Sequence, residues 1–142
     1  MEKSMIDTIR EKFDLRETDI KTYSPLTLAF MGDCVFDLYI RSILVANGNR
    51  GVNGLHKDKS NLVKAKAQAE MAEALQELLN DDEKEIYRRG RNAKTASSAK
   101  NADMSDYHKA TGFEALLGYL YLQGKEERLL ELVSSAVAFY QK

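Results

Sequence analysis

The spacing of hydrophobic residues along this chain is typical of an all-α protein. Apolar positions recur every three to four residues, and few runs alternate between apolar and polar positions as strands do. The spacing predicts helices over residues 4–13, 25–46, 54–79, 81–91, 105–124 and 125–141, with a break near Ser60 and a loop over 92–104. Because no linker divides the 142 residues, we expect a single domain over 1–142.

Capping signals support these helix boundaries. Ser24 precedes Pro25, the only proline, in the order that commonly opens a helix. Asn80 and Glu83 have the spacing of a capping box. Ser105 is the expected cap of the helix that follows the loop.

Two acidic residues occur where the pattern predicts apolar ones. The helix over 25–46 is apolar nearly all round, which predicts that it is the buried central helix, yet it contains Asp33. Glu114 is the only charged residue in the stretch TGFEALLGYLYLQ. Burying an unpaired carboxylate is costly or forces it to take up a proton. A glycine beside Asp33 and another one turn after Glu114 would let two helices approach closely or leave room for an ion.

These acids have two interpretations. In the first, Asp33 and Glu114 face each other and bind a hard divalent cation, for which oxygen ligands and water suit Mg²⁺. In the second, a lysine, an arginine or a helix N-terminus satisfies each acid separately. Asp37 fits the second interpretation, because Arg41 follows it by one helical turn.

The composition limits the class of protein. Hydrophobic residues make up 44% and charged residues 30%, which is a globular mixture. A single cysteine, Cys34, excludes an intramolecular disulfide, and we expect it to be a small buried residue. The chain has neither an apolar run of about 20 residues nor a secretory signal, which predicts a cytoplasmic protein with no membrane partner.

The net charge of −1 conceals two basic segments. Residues 41–66 hold six basic and one acidic residue, and residues 88–100 hold five basic residues and no acid. Local charge of this kind favours a polyanion such as RNA, although basic residues at a helix C-terminus also complement the helix dipole. The candidate RNA-binding residues are Arg88, Arg89, Arg91, Asn92, Lys94 and Lys100 in the second segment, with Lys57 and Lys64 in the first.

At these residues the chain resembles the Mini-ribonuclease III branch of the ribonuclease III superfamily. LAFMGDCVFDLYIR is similar to the family's signature helix and FEALLGYLYL to its second acidic motif. LHKDKSNLVKAKAQAE and RRGRNAK lie between them in the family's order. The resemblance covers about residues 24–135, and for this branch we expect no double-stranded-RNA-binding domain after the nuclease domain.

The resemblance implies a fold, an activity and partners. It implies the all-helical ribonuclease III endonuclease fold and a homodimer whose two active sites lie in one valley. Asp33 and Glu114 would be the catalytic, metal-binding acids of a Mg²⁺-dependent nuclease, with Mn²⁺ as a possible substitute. The enzyme would cut double-stranded RNA to leave 5′-phosphate and 3′-hydroxyl ends. The expected substrate is the precursor of 23S ribosomal RNA, with a large-subunit ribosomal protein or the pre-ribosome as a possible helper.

Two positions depart from the wider superfamily. Full-length ribonuclease III enzymes carry acids where this chain has Ala29 and Thr111. The Mini branch shares both departures, and they leave the number of metal ions open. They also support an alternative, a non-catalytic module that binds double-stranded RNA or assists ribosome assembly. A third hypothesis, a helical interaction protein without an RNA partner, is disfavoured by the basic loop.

Overall fold

A computed structural model describes residues 3–17, 19–94 and 104–141. Within these residues the chain forms α-helices and two single-turn 3₁₀ helices, with no strand, which confirms the predicted all-α class. The α-helices are α1 (Met5–Phe13), α2 (Pro25–Ala46), α3 (Val52–Val63), α4 (Ala65–Leu75), α5 (Asp81–Arg91), α6 (Met104–Leu122) and α7 (Glu126–Tyr140). The 3₁₀ turns are Ile20–Thr22 and Gln76–Leu78. No helix in the described ranges is both long enough and apolar enough to cross a membrane.

Helix α6 is the centre of the fold. Helices α2, α4 and α5 pack against it, and α7 contacts both α4 and α6. Every residue from Ala110 to Tyr121 is buried except Glu114, which is partly buried. The ring of Phe36 on α2 packs edge-on against Phe113, with 5.1 Å between centroids. The central helix is therefore α6, and the prediction that α2 takes this place is wrong.

The backbones of α2 and α6 touch at two glycines. A Cβ atom on Gly32 would lie 1.7 Å from the carbonyl oxygen of Glu114, and one on Gly118 would lie 2.0 Å from the carbonyl oxygen of Leu28. Any side chain at either position would force the helices apart. The glycines beside the two acids therefore serve close helix approach.

The outer face of α2 is exposed and apolar. Leu26, Phe30 and Leu38 are 41%, 81% and 46% exposed, and Cys34 is exposed on the same side. The expectation of a buried cysteine is therefore wrong. Because the core lies on only one side of α2, an all-round apolar sequence leaves an apolar surface on the other side.

Two predicted caps are present. The Ser24 hydroxyl accepts a hydrogen bond from the backbone N–H of Thr27 at 3.2 Å. Asn80 and Glu83 exchange reciprocal side-chain to backbone hydrogen bonds, each 2.9 Å long. Both helices therefore begin where the sequence predicts.

Two other boundaries differ from the prediction. The break in the long helical region falls at Lys64, in extended conformation at φ −67° and ψ 155°, rather than near Ser60. It separates α3 from α4, so that Leu62 and Ala67 both reach the core. Helix α6 begins at Met104, so Ser105 lies inside the helix and is not its cap. Most of the loop predicted over 92–104 lies outside the described residues.

A buried ion pair joins α5 to α7. Glu83 is 2% exposed, and it accepts hydrogen bonds from the guanidinium of Arg128 at 2.9 and 2.7 Å. Burial alone would raise the pKa of Glu83, but the hydrogen bonds from Arg128 and from the Asn80 backbone hold it below its usual value. Arg128 also donates to the carbonyl of Leu78 at 2.6 Å, so the pair is well satisfied.

Candidate active site

The structure brings Asp33 and Glu114 together. Asp33 lies on α2 directly after Gly32, whose backbone contacts the backbone of Glu114 on α6. The two carboxyl groups interact directly, since Asp33 acts on the pKa of Glu114 by a hydrogen bond and by its charge. Asp33 is exposed and Glu114 is partly buried, so one acid faces solvent and the other faces the core.

Glu114 is held as a neutral acid in the metal-free protein. Burial raises its pKa most, followed by the hydrogen bond that the protonated group donates to Asp33 and by the charge of Asp33, and together they bring it to about 8. No lysine, arginine or histidine in the described ranges forms an ion pair with either acid. Basic side chains therefore do not neutralise these two acids. A bound cation would reduce the repulsion between their carboxylates.

Gln68 is a third polar side chain at this site, and the sequence analysis missed it. It is 3% exposed on α4, and its Nε2 donates to the carbonyl of Val63 at 2.8 Å. The amide also acts on Glu114 and lowers its pKa, as an N–H donor does. Its Oε1 is buried and has no hydrogen-bond partner among the described residues. A lone glutamine in the alanine-rich stretch AKAQAEMAEAL was the available signal.

The donor set fits a hard cation with few protein ligands. In the part of the chain that the structure describes, no group of three or more His, Cys, Asp or Glu side chains is arranged to hold a metal. Two carboxylates and a free amide oxygen offer only oxygen atoms, which Mg²⁺ prefers and which exclude a thiolate or imidazole site. A cation here would take its other ligands from water or from a substrate phosphate.

Asp37 has a structural role. Arg41 Nε donates to its Oδ2 at 2.6 Å, and Lys59 Nζ lies 3.5 Å from its Oδ1. This confirms the interpretation of Asp37 as an ion-paired acid. Asp33 and Asp37 are one turn apart on α2, but only Asp37 has cationic partners among the described residues.

The end of α5 packs against α6 at the residues that flank Glu114. A Cβ atom on Gly90 would lie 2.8 Å from Ala115 Cβ and 2.9 Å from Gly112 Cα, the residues on either side of the Phe113–Glu114 pair. The glycine therefore brings the basic C-terminus of α5 against the segment of α6 that carries the acid.

The basic side chains at this end are mostly accessible. Arg88 is exposed and ion-paired with Glu85, and the guanidinium of Arg91 lies 5.9 Å from the ring centroid of Tyr87. Arg89 is partly buried, Asn92 and Lys94 are exposed, and Lys100 lies outside the described residues.

The other two candidates lie within α3 and at the break that follows it. Lys57 and Lys64 are both exposed. Lys64 occupies the break between α3 and α4, one turn before Gln68, whose backbone N–H donates to the Lys64 carbonyl at 3.0 Å. Lys57 lies within α3 and makes no ion pair among the described residues.

Comparison with known proteins gives consistent matches. The family model described as "Ribonuclease III domain" matches residues 26–125. A Mini-ribonuclease 3 from Thermoanaerobacter sp. (strain X514) is 48% identical over 137 residues, covering 96% of each chain. A Mini-ribonuclease 3 from Brevibacillus brevis is 50% identical over 118 residues, covering 83% of this chain and 88% of the relative. A crystal structure of a protein from Fusobacterium nucleatum superposes with a TM-score of 0.76 at 31% identity, covering 85% of this chain and 97% of that one.

Proposed function

This chain belongs to the ribonuclease III family, in its Mini-ribonuclease 3 branch, and for this endoribonuclease of double-stranded RNA we propose the following reaction. The hydrolysis depends on Mg²⁺ and leaves 5′-phosphate and 3′-hydroxyl ends. Asp33 and Glu114 are the metal-binding acids.

The observation that carries the proposal is the carboxyl pair between α2 and α6. Two acids in contact, one of them with its pKa raised to about 8, form a site that lacks a positive charge. Asp37, by contrast, is an acid whose negative charge is neutralised by Arg41 and Lys59. Strongly perturbed pKa values cluster at functional sites, such as those that bind a cation or transfer a proton.

The residues of the site have distinct roles in this proposal. When bound, Mg²⁺ polarises the scissile phosphate and lowers the pKa of the attacking water. Asp33, being exposed, is the acid that the substrate side can reach, and Glu114 supports the site from the core side. The water oxygen bonds to phosphorus and gives up a proton to solvent, the bond from phosphorus to the 3′ oxygen breaks, and that oxygen takes up a proton from solvent. Attack by water accounts for both product ends.

The basic end of α5 is the proposed RNA contact. Gly90 places it against the segment of α6 that holds Glu114, and Arg91, Asn92 and Lys94 are accessible there. Double-stranded RNA is bound mainly through its phosphates and 2′-hydroxyl groups, which suits such side chains. Arg88, Arg89 and Lys100, with Lys57 and Lys64, extend the proposed surface. Because these contacts would be mainly to phosphates and come from a few side chains, we expect weak binding that falls with salt.

A homodimer is also part of the proposal. The exposed apolar residues on the outer face of α2, led by Phe30 at 81% exposure, form the kind of surface that a second subunit covers. Asp33 lies on the same helix, so two copies joined there would bring their sites near one another. Sedimentation should therefore give a dimer, and Phe30→Asp should give a folded monomer. A monomeric wild-type protein would contradict this part.

We further propose precursor 23S ribosomal RNA as the substrate, in the cytoplasm, with a large-subunit ribosomal protein or the pre-ribosome as helper. The support is the resemblance to the Mini branch together with the modest basic surface, which favours help from an assembled context. Mn²⁺ would suit the same oxygen ligands.

Cleavage of an end-labelled RNA duplex, with and without Mg²⁺, tests the proposal. Wild type and Asp37→Asn, the matched control one turn away, should both cut. Asp33→Asn should lose cleavage and retain RNA binding. Loss in Asp37→Asn alone, or cleavage by Asp33→Asn, would contradict the assignment. A folded dimer that binds duplex RNA without any metal-dependent cleavage would favour the non-catalytic module.

A further inference from the structure

We propose that the side-chain oxygen of Gln68 is a third protein ligand of the divalent cation held by Asp33 and Glu114. This inference rests on the proposed function, because it assumes that the acid pair binds a cation. It concerns a residue of a different helix, α4, and makes the site depend on three helices instead of two.

The starting observation is a buried oxygen without a donor. Gln68 is 3% exposed, and no group in the described ranges donates to its Oε1. Buried side-chain acceptors nearly always have a partner, so an exception requires an explanation. A bound cation, or water held by one, would be such a partner.

The orientation of the amide is determined by its surroundings. Nε2 donates to the carbonyl of Val63 at 2.8 Å. Exchanging the amide's nitrogen and oxygen would set Oε1 against that carbonyl, where two acceptors would repel each other. The side chain of Gln68 is a hydrogen-bond partner of Glu114 as well as of Val63, and both bonds use the amide nitrogen, so Oε1 belongs to the same amide group but has no partner of its own among the described residues.

The chemistry of the amide oxygen suits this role. An amide carbonyl is a hard, neutral oxygen ligand of the kind that Mg²⁺ and Mn²⁺ accept beside carboxylates. Thr111, on the same helix as Glu114, is not available in the same way, because its hydroxyl donates to the carbonyl of Tyr107 at 3.0 Å. Gln68 is therefore a buried side chain that hydrogen-bonds Glu114 and still has an unused oxygen.

Mn²⁺ binding to the intact protein without RNA provides the test, read by electron paramagnetic resonance. Gln68→Leu should weaken Mn²⁺ affinity by about tenfold, as loss of an orienting or ligating group does at other sites. Gln76→Leu is the matched control, because Gln76 Nε2 makes the same kind of bond, to the carbonyl of Ala72 at 2.8 Å. Thermal unfolding of both variants shows whether either has lost its fold, and a wild-type affinity in Gln68→Leu would overturn the inference.

Isotope labelling separates a ligand from a residue that only orients Glu114. With glutamine labelled by ¹³C at the side-chain carbonyl, bound Mn²⁺ should show a ¹³C hyperfine coupling in wild type and in Gln76→Leu. The coupling should be absent in Gln68→Leu saturated with Mn²⁺. No coupling in wild type would overturn the inference, whatever the affinities. If Asp33→Asn binds Mn²⁺ as wild type does, the proposed metal site itself fails, and that failure is separate from a failure of Gln68 alone.

Discussion

Replacing Glu114 by glutamine should stabilise the metal-free protein while removing its activity. In the folded chain burial, a hydrogen bond to Asp33 and the charge of Asp33 raise the pKa of Glu114 from 4.5 to about 8. In the unfolded chain the group ionises near its usual value. Between these two pH values the folded state therefore holds a proton that the unfolded state has lost.

The sign and size follow from this difference. Stability is highest below the unfolded pKa and falls as the pH rises toward 8, because the unfolded state binds fewer protons there. Each pKa unit corresponds to about 1.4 kcal/mol, which sets an upper value of about 5 kcal/mol for the full penalty above pH 8. Solvent near the exposed Asp33 lowers this penalty. We therefore expect Glu114→Gln to raise the free energy of unfolding by roughly 2–4 kcal/mol at pH 9 and by close to nothing at pH 4.5.

Urea unfolding in EDTA, followed by circular dichroism at pH 4.5 and pH 9, measures the effect. Glu70→Gln is the control, since Glu70 is an exposed residue of α4 and its substitution should change stability by less than about 0.5 kcal/mol at either pH. A Glu114→Gln protein that is less stable than wild type at pH 9 would contradict this prediction. It would show that Glu114 makes a net stabilising contact in its ionised form.

Three further substitutions test the packing and the RNA surface. Gly118→Ala places a Cβ 2.0 Å from an α2 carbonyl oxygen and should lower the free energy of unfolding by more than about 3 kcal/mol. The control Gly54→Ala meets only a side-chain atom at 3.5 Å and should raise that free energy by up to about 1 kcal/mol. Equal effects of the two substitutions in thermal unfolding would contradict the close approach of the helices. Glu83→Gln removes the charge facing Arg128 and should lower the free energy of unfolding, measured in urea, by about 1–3 kcal/mol. This difference from wild type should shrink as the pH falls through the lowered pKa of Glu83. A difference that does not change with pH would argue against the ion pair. Arg91→Ala should weaken duplex RNA binding, measured in an inactive background, and reduce the slope of log affinity against log salt by about 1; an unchanged slope would remove this residue from the contact surface.

Helix positions were the most predictable part of the fold. The ends of α2 and α5 follow from the side chains of Ser24, Asn80 and Glu83, which form local hydrogen bonds that do not depend on distant residues. The break at Lys64 was misplaced by four residues. Lys64 carries no capping signal of its own, and the break depends on how α3 and α4 meet the core.

Burial was less predictable than helicity. An apolar helix was expected to be central, yet α2 leaves Phe30 and Cys34 exposed. Hydrophobicity measures the tendency to leave water, but it does not say whether the covering surface belongs to the same chain. The exposed residues of α2 are consistent with a surface that the proposed dimer covers.

The candidate site divides in the same way. Periodicity, local charge and residue type are properties of short segments. They were enough to predict an all-helical chain with two acids in apolar helices, small residues beside them and basic residues near 88–94. The packing of the helices was needed to show that Asp33 and Glu114 interact, that Asp37 is ion-paired and that Gln68 hydrogen-bonds Glu114 while its oxygen stays unpaired. These are contacts between residues distant in the chain, and they depend on the directions in which whole helices cross.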